Sequence, residues 1–260
     1  MKYDELAPAL LVEEDGPLRV VTMNKPEQLN AMSDDLHQAM GQVWHLLAED
    51  DDARAVILTG AGRAFCTGGY IPNFIRSNRD PAARRRSLRH AERVTRAMID
   101  CDLPVIAAVN GLAIGLGCSL AVLSDIVLIA DTAYMADTHV SVGLVAGDGG
   151  AVMWPLATSI LKAKEHIFLG DQITPEQAVQ LGLANRVVPA GQLMYEAKIL
   201  GRRLAAQPQQ ALRDTKRTLN RHLQAAADNV LSFGLAAESE TFGSEDVRRI
   251  ADDFVAKRNR

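Results

Sequence analysis

The chain has 260 residues, 48% of them hydrophobic and 23% charged, with 28 Lys and Arg against 32 Asp and Glu for a net charge of −4. That balance excludes a disordered or collagen-like chain and leaves ample material for a core. The length favours one large domain, or one domain with an appended segment. A mildly acidic chain has no general drive toward nucleic acid or anionic membranes, and neither is expected as a partner. Cys66, Cys101 and Cys118 are an odd set without metal-ligand spacing. No disulfide framework or metal site is expected, and a reducing, cytoplasmic setting is. Residues 1–16 carry acids where a secretion signal has its apolar stretch, so none is expected there.

In chain order, residues 9–23 read as a hairpin turning at Asp15-Gly16-Pro17. Ser33 then caps a helix with Asp34 and Asp35 in its first turn, where the N-terminal dipole favours acids. Leu36, Met40, Val43 and Leu47 give that helix one apolar face. Residues 55–60, 104–111 and 125–131 are short, almost uninterrupted apolar runs, the pattern of parallel strands covered on both faces. Leu103 to Ser124 carries no charge and is long enough to span a bilayer. Pro104, Asn110, Gly111, Gly115 and Gly117 break it into a strand, a turn and a buried helix instead. Thr174-Pro175-Glu176-Gln177 spells a capping box opening a helix that stops near Gly182, followed by a strand at 185–188. From about Gly191 the periodicity is wholly helical. Strands alternating with helices, then a helical tail, predict an α/β core over residues 1–190 and a helical subdomain over 191–260.

Two segments share a design: an apolar strand, a small-residue loop, then a helix. They are 55–74 and 104–122. Glycines let backbone approach a ligand closely, and a helix start presents free N–H groups. Two such groups from separate loops can stabilise a carbonyl oxygen as it becomes an anion. Neither loop matches a phosphate-binding or dinucleotide-binding fingerprint. The residues alone stop at an anion site or a plain turn.

NKPEQLNAM (24–32), AFCTGGYI (64–71), the stretch 104–130, GLVAGDGGAVMWP (143–155) and ITPEQAVQLGLANRVVP (173–189) together resemble the enoyl-CoA hydratase/isomerase, or crotonase, superfamily, over nearly the whole chain and in order. The resemblance implies a spiral of ββα units with C-terminal helices that mediate trimers, commonly paired into hexamers. It implies an acyl-CoA or small carbonyl substrate, with coenzyme A entering as part of the substrate rather than as a cofactor. It assigns the oxyanion donors to the N–H groups of Gly69 and Leu116. Lys25 would stand near the nucleotide phosphates, with Leu29, Ala64, Thr67 and Gly68 along the pantetheine or adenine. Relatives often carry lysine where this chain has Pro72. Arg84, Arg85, Arg86, Arg89, Arg93 and Arg96 either compensate or form a solvated helix face, and the second is the default for a charge run.

The acid–base positions depart from the family. The two glutamates of its hydratases align with Ser119 and His139. Serine is a poor proton carrier near neutrality, so Ser119 is expected to bind substrate, whereas histidine is a good carrier. His139 and Asp148 lie nine residues apart, and an aspartate on one imidazole nitrogen leaves the other free as base. This pair, with the glutamate of LSFGLAAE (Glu238), resembles the 6-oxocamphor hydrolase type, which cleaves a β-diketone without CoA. Glu238 reads equally well as an exposed helix residue, and nothing local selects His90 over a surface role. Three functions therefore stand: an acyl-CoA hydratase or isomerase with His139 as base, a hydrolase using His139 and Asp148 to activate water, and a non-catalytic binding module. The first is favoured.

Overall fold

The computed structural model describes residues 2–258. The expected hairpin forms from β1 (Leu10–Asp15) and β2 (Leu18–Met23), with Gly16 at φ +58° in its turn. Helix α1 (Asp34–Ala48) follows, and Leu36, Met40, Val43 and Leu47 are fully buried along it. Ser33 stands at its N-cap, but its hydroxyl donates to Asp35 instead of accepting from the backbone.

A long strand, a short strand and helical structure then recur three times. β3 (Ala55–Gly60) and β4 (Ala64–Cys66) precede α2 (Ile71–Arg79) and α3 (Pro81–Asp100). β5 (Val105–Val109) and β6 (Leu112–Ile114) precede α4 (Leu116–Leu123). β7 (Ile126–Ala130) and β8 (Tyr134–Ala136) precede α5 (Gly150–Ala157) and α6 (Ile160–Leu169). The capping box at Thr174 opens α7 (Pro175–Leu181), which ends at Gly182 in the left-handed region, and β9 (Arg186–Val188) follows. The long strands extend the hairpin into one sheet of order β1-β2-β3-β5-β7-β9, parallel from β2 onward. The short strands form a second parallel sheet, β4-β6-β8. This is the expected spiral of ββα units.

β3 and β5 are buried along their whole length, which is why their sequences do not alternate. The tail comprises α8 (Leu193–Ala205), α9 (Gln209–Phe242) and α10 (Glu245–Arg258). Helix α8 lies on the large sheet, where a Cβ at Gly201 would touch Leu18 at 3.1 Å. The charge-free stretch 103–124 is β5, β6 and α4, and among the described residues no helix is long and apolar enough to cross a membrane. All three cysteines are free and buried.

The small sheet positions the site. Its strands are parallel, so they end together at Cys66, Ile114 and Ala136. Register pairs Ile114 with Ala136, and Gly115 N–H donates to Ala136 O at 2.9 Å. The loops that follow, starting at Thr67, Gly115 and Asp137, therefore leave one edge side by side. Ligands of open α/β sheets bind outside the carboxyl ends of strands for this reason.

Candidate active site

At that edge the chain narrows to backbone contact. Gly68 has φ +76°, and a Cβ on it would meet Ile114 O at 2.7 Å and Leu116 N at 3.4 Å. Gly117 lies on β4, where a Cβ would fall 2.0 Å from Cys66 O. Glycine at these two positions is what lets α4 start directly against the first loop. Gly69 and Leu116 both line a cleft enclosing about 490 Å³, part of it open to solvent. Neither of their N–H groups is spent on a turn or loop hydrogen bond.

His139, Asp148 and Glu238 stand on the wall of the same cleft. His139 follows β8 by three residues and starts a short 3₁₀ turn, Val140–Val142, that Gly143 ends at φ +81°. Its Nε2 is 3.1 Å from Asp148 Oδ2, as the spacing predicts. Its Nδ1 is 2.7 Å from Asp137 Oδ1. The expected free nitrogen is absent, because β8 delivers Asp137 two residues before the ring and the loop delivers Asp148 nine after. The ring is held between two carboxylates. Burial opposes its charge, but Asp148 first and Asp137 second outweigh that and hold the imidazole well above its ordinary value. Burial would likewise raise Asp148, yet His139 and the Ser119 hydroxyl keep its carboxyl below the usual carboxylate range. The resting pair is an imidazolium against a carboxylate. Thr95 Oγ1 donates to Asp148 O at 2.8 Å and fixes the backbone behind it.

Glu238 is not an exposed helix residue. It is 4% exposed, in a buried stripe of α9 that includes Leu231, Gly234 and Leu235. Burial first, then the Asp148 charge, push its carboxyl up to about 8 against the opposing effect of His139. Its Oε2 has no hydrogen-bond partner, consistent with a neutral acid facing a cleft. Ser119, expected to bind substrate, lies behind the wall: it is fully buried and donates to Asp148 Oδ1 at 3.1 Å.

The remaining expected contacts form a neighbouring pair of laced loops outside the cleft wall. Thr67 N donates to Leu29 O, and Asn30 Nδ2 donates to Ala64 O at 2.8 Å. Leu29 and Asn30 both take φ +55°. Lys25 Nζ reaches Asp35 at 2.7 Å. In the arginine run, Arg84 leaves the solvated face: it donates to Ser77 O and Ser239 O, tying α2 and α9 to α3. Arg85, Arg86, Arg89 and Arg93 are exposed, as a charge run predicts.

The family model for enoyl-CoA hydratase/isomerase matches residues 13–260. The chain belongs to the enoyl-CoA hydratase/isomerase family. Within it, this member is 32% identical to a short-chain-enoyl-CoA hydratase of Clostridium acetobutylicum over 96% of this chain and 95% of that one. An enoyl-CoA hydratase/isomerase structure from Mycobacterium paratuberculosis superposes with TM-score 0.91 at 45% identity, covering 94% and 98% of the two chains. A β-diketone hydrolase from the cyanobacterium Anabaena, bound to (S)-3-oxocyclohexyl acetic acid, gives 0.85 at 28% identity over 94% and 97%.

Two residues of this family member escape the sequence reading. Asp137 is the partner at His139 Nδ1, and an acid two residues before a site histidine at a strand end was the available signal. His37 lines the cleft from α1, hidden between the apolar residues of that helix's buried face.

Proposed function

We propose that the protein acts on an acyl-CoA thioester through an enolate whose oxygen is held by the N–H groups of Gly69 and Leu116, and that the His139–Asp148 pair, rather than a lone His139 nitrogen, carries the proton. The observation that supports this reading is that charged pair, 3.1 Å apart, on the wall that also bears Gly69 and Leu116. In hydration, water gives a proton to the pair at Asp148 while its oxygen bonds to the β-carbon, and the electrons move onto the thioester oxygen. The enolate then collapses and takes a proton at the α-carbon from Glu238, which is neutral near pH 7. A double-bond shift uses the same pair to remove and return one proton. Asp137 holds the ring, and Ser119 holds Asp148.

Lys25, Leu29, Ala64, Thr67 and Gly68 are proposed to bind the coenzyme A portion, with Lys25 exchanging Asp35 for a phosphate. Assembly as a homotrimer or homohexamer belongs to this reading, supported by Leu161, Phe168 and Leu169, which α6 leaves exposed. Native mass measurement tests it.

A second reading, hydrolysis of a β-diketone by water activated at the same pair, is favoured by the likeness to the Anabaena hydrolase. Turnover of crotonyl-CoA separates the two. Hydration or isomerisation lost in His139→Ala supports the first. Inert crotonyl-CoA with cleavage of a cyclic β-diketone supports the second. No binding of either leaves a non-catalytic module.

A further inference from the structure

Among the described residues, two buried side-chain atoms without a hydrogen-bond partner belong to residues on the cleft wall. One is Glu238 Oε2, already given a role. The other is Nε2 of His37, a residue 7% exposed. Buried polar atoms are nearly always satisfied in native proteins, so an orphan on a residue that lines a cleft calls for a ligand. We propose that His37 determines specificity: its Nε2 takes a hydroxyl or keto oxygen carried on the acyl chain beyond the reacting carbons.

The ring is held for that task. His37 lies between Leu36 and Met40 on α1, both fully buried, and its main-chain N–H donates to Ser33 O at 2.9 Å. Beside it stands His90 of α3, with ring centroids 5.7 Å apart and planes tilted by 40°. Burial first, and His90 second, bring the His37 ring down to about 4, although Asp148 and Asp34 pull the other way. It is therefore a neutral imidazole at working pH, with one donor and one acceptor nitrogen. Such a ring serves a hydroxyl with either nitrogen character, and a keto oxygen only as Nε2–H. Ser77 and Ser87 share the wall with it, so this lining is not purely that of an alkyl pocket. An alkyl chain docked here leaves Nε2 unpaired, whereas an oxygen substituent that reaches it supplies the missing bond. The same geometry explains why the mechanism leaves His37 unused: the proton steps run through His139, Asp148 and Glu238.

This inference rests on the acyl-CoA reading, and its test keeps the two apart. Three thioesters of equal chain length serve as probes: hex-2-enoyl-CoA, 5-hydroxyhex-2-enoyl-CoA and 5-oxohex-2-enoyl-CoA. The wild-type protein is expected to prefer at least one oxygenated probe by roughly tenfold or more in kcat/KM. His37→Leu should bring that ratio toward one, and His37→Gln, which keeps a donor and an acceptor, should retain part of it. His37→Phe keeps a ring beside His90 and replaces the leucine variant should the latter not fold. Preference for the keto probe assigns Nε2–H as donor, and preference for the hydroxyl probe alone assigns an acceptor. Equal wild-type efficiency on all three probes, or a ratio untouched in His37→Leu or His37→Phe, overturns the role of His37 and leaves the acyl-CoA reading standing. Turnover of none of the three overturns that reading and this one with it.

Discussion

Gly147 and Gly234 meet backbone to backbone: a Cβ on Gly234 would lie 3.1 Å from Gly147 Cα, and one on Gly147 would lie 2.6 Å from Gly234 O. The absence of side chains at both positions lets α9 close on the loop that carries Asp148. One turn further along α9, Glu238 arrives at the cleft, its Oε2 2.7 Å from the same Gly147 Cβ position. A helix crossing thus aims a catalytic candidate.

Gly147→Ala should therefore be the more damaging of the two substitutions. Its methyl group meets both a backbone oxygen and Glu238, whereas that of Gly234→Ala needs only a few tenths of an ångström of relief. Overpacking of this kind costs about 1–3 kcal/mol. Thermal melts should show the larger loss for Gly147→Ala, together with a fall in turnover approaching that of Glu238→Gln. Equal, near-zero effects would mean that the crossing is looser than these distances.

Asp148→Asn removes the largest influence holding His139 charged. Hydration should fall steeply, because Asp148 is the proposed acceptor of water's proton, and the pH limb of the residual rate should move to lower pH, since the imidazolium loses its stronger counter-charge. Stability carries the same sign. A histidine raised in the folded state gives stability that is complete below its unfolded value of about 6.5 and is lost as pH rises through the folded one. Wild-type melting temperature should decline through the alkaline range for this reason, and Asp148→Asn should flatten the decline. A limb left in place would remove the pair from the rate-determining proton step.

Glu238 is raised from 4.5 to about 8 in the folded protein, so ionising it opposes the fold progressively between those values. Glu238→Gln should gain stability over wild type as pH climbs from about 5 to 8, by a few kcal/mol at most, and show little difference below pH 5. It should also lose most hydration activity, because an amide cannot supply the α-carbon proton. Parallel melting curves across this pH range would contradict a neutral buried carboxyl.

Gly69 is packed against Phe74, so a Cβ there would sit 2.2 Å from Phe74 Cε1. Phe74 in turn stands edge-on to Phe242 at 5.4 Å. Gly69→Ala should push its own amide off the thioester oxygen, with a loss in kcat of roughly 10²–10³, the usual cost of one oxyanion donor. Pairing it with Phe74→Ala removes the collision and should recover part of the rate. A double variant no better than Gly69→Ala would place the damage elsewhere than in this contact.

Much of the backbone was legible in residue order. The buried runs at 55–60, 104–111 and 125–131 became parallel strands, and Thr174 to Gly182 became a capped helix, because period, capping and turn chemistry act over a few residues. The His139–Asp148 contact was legible too, since both ends belong to one short loop. The short strands β4, β6 and β8 were harder to see: each is three residues long and gains its identity only from its neighbours in the second sheet.

What the amino-acid order determined by itself was the succession of strands, helices and glycine loops, and the family that this succession marks. Only the tertiary structure decided that both nitrogens of His139 are taken, that Ser119 stands behind Asp148 instead of facing substrate, that Glu238 is buried and that His37 of α1 shares its cleft. Those facts depend on the winding of three ββα units and the closing of α9, which join residues as far apart as 37 and 238. Charge and protonation follow from such meetings, because burial and facing carboxylates set them, and neither is written in a residue's immediate neighbours.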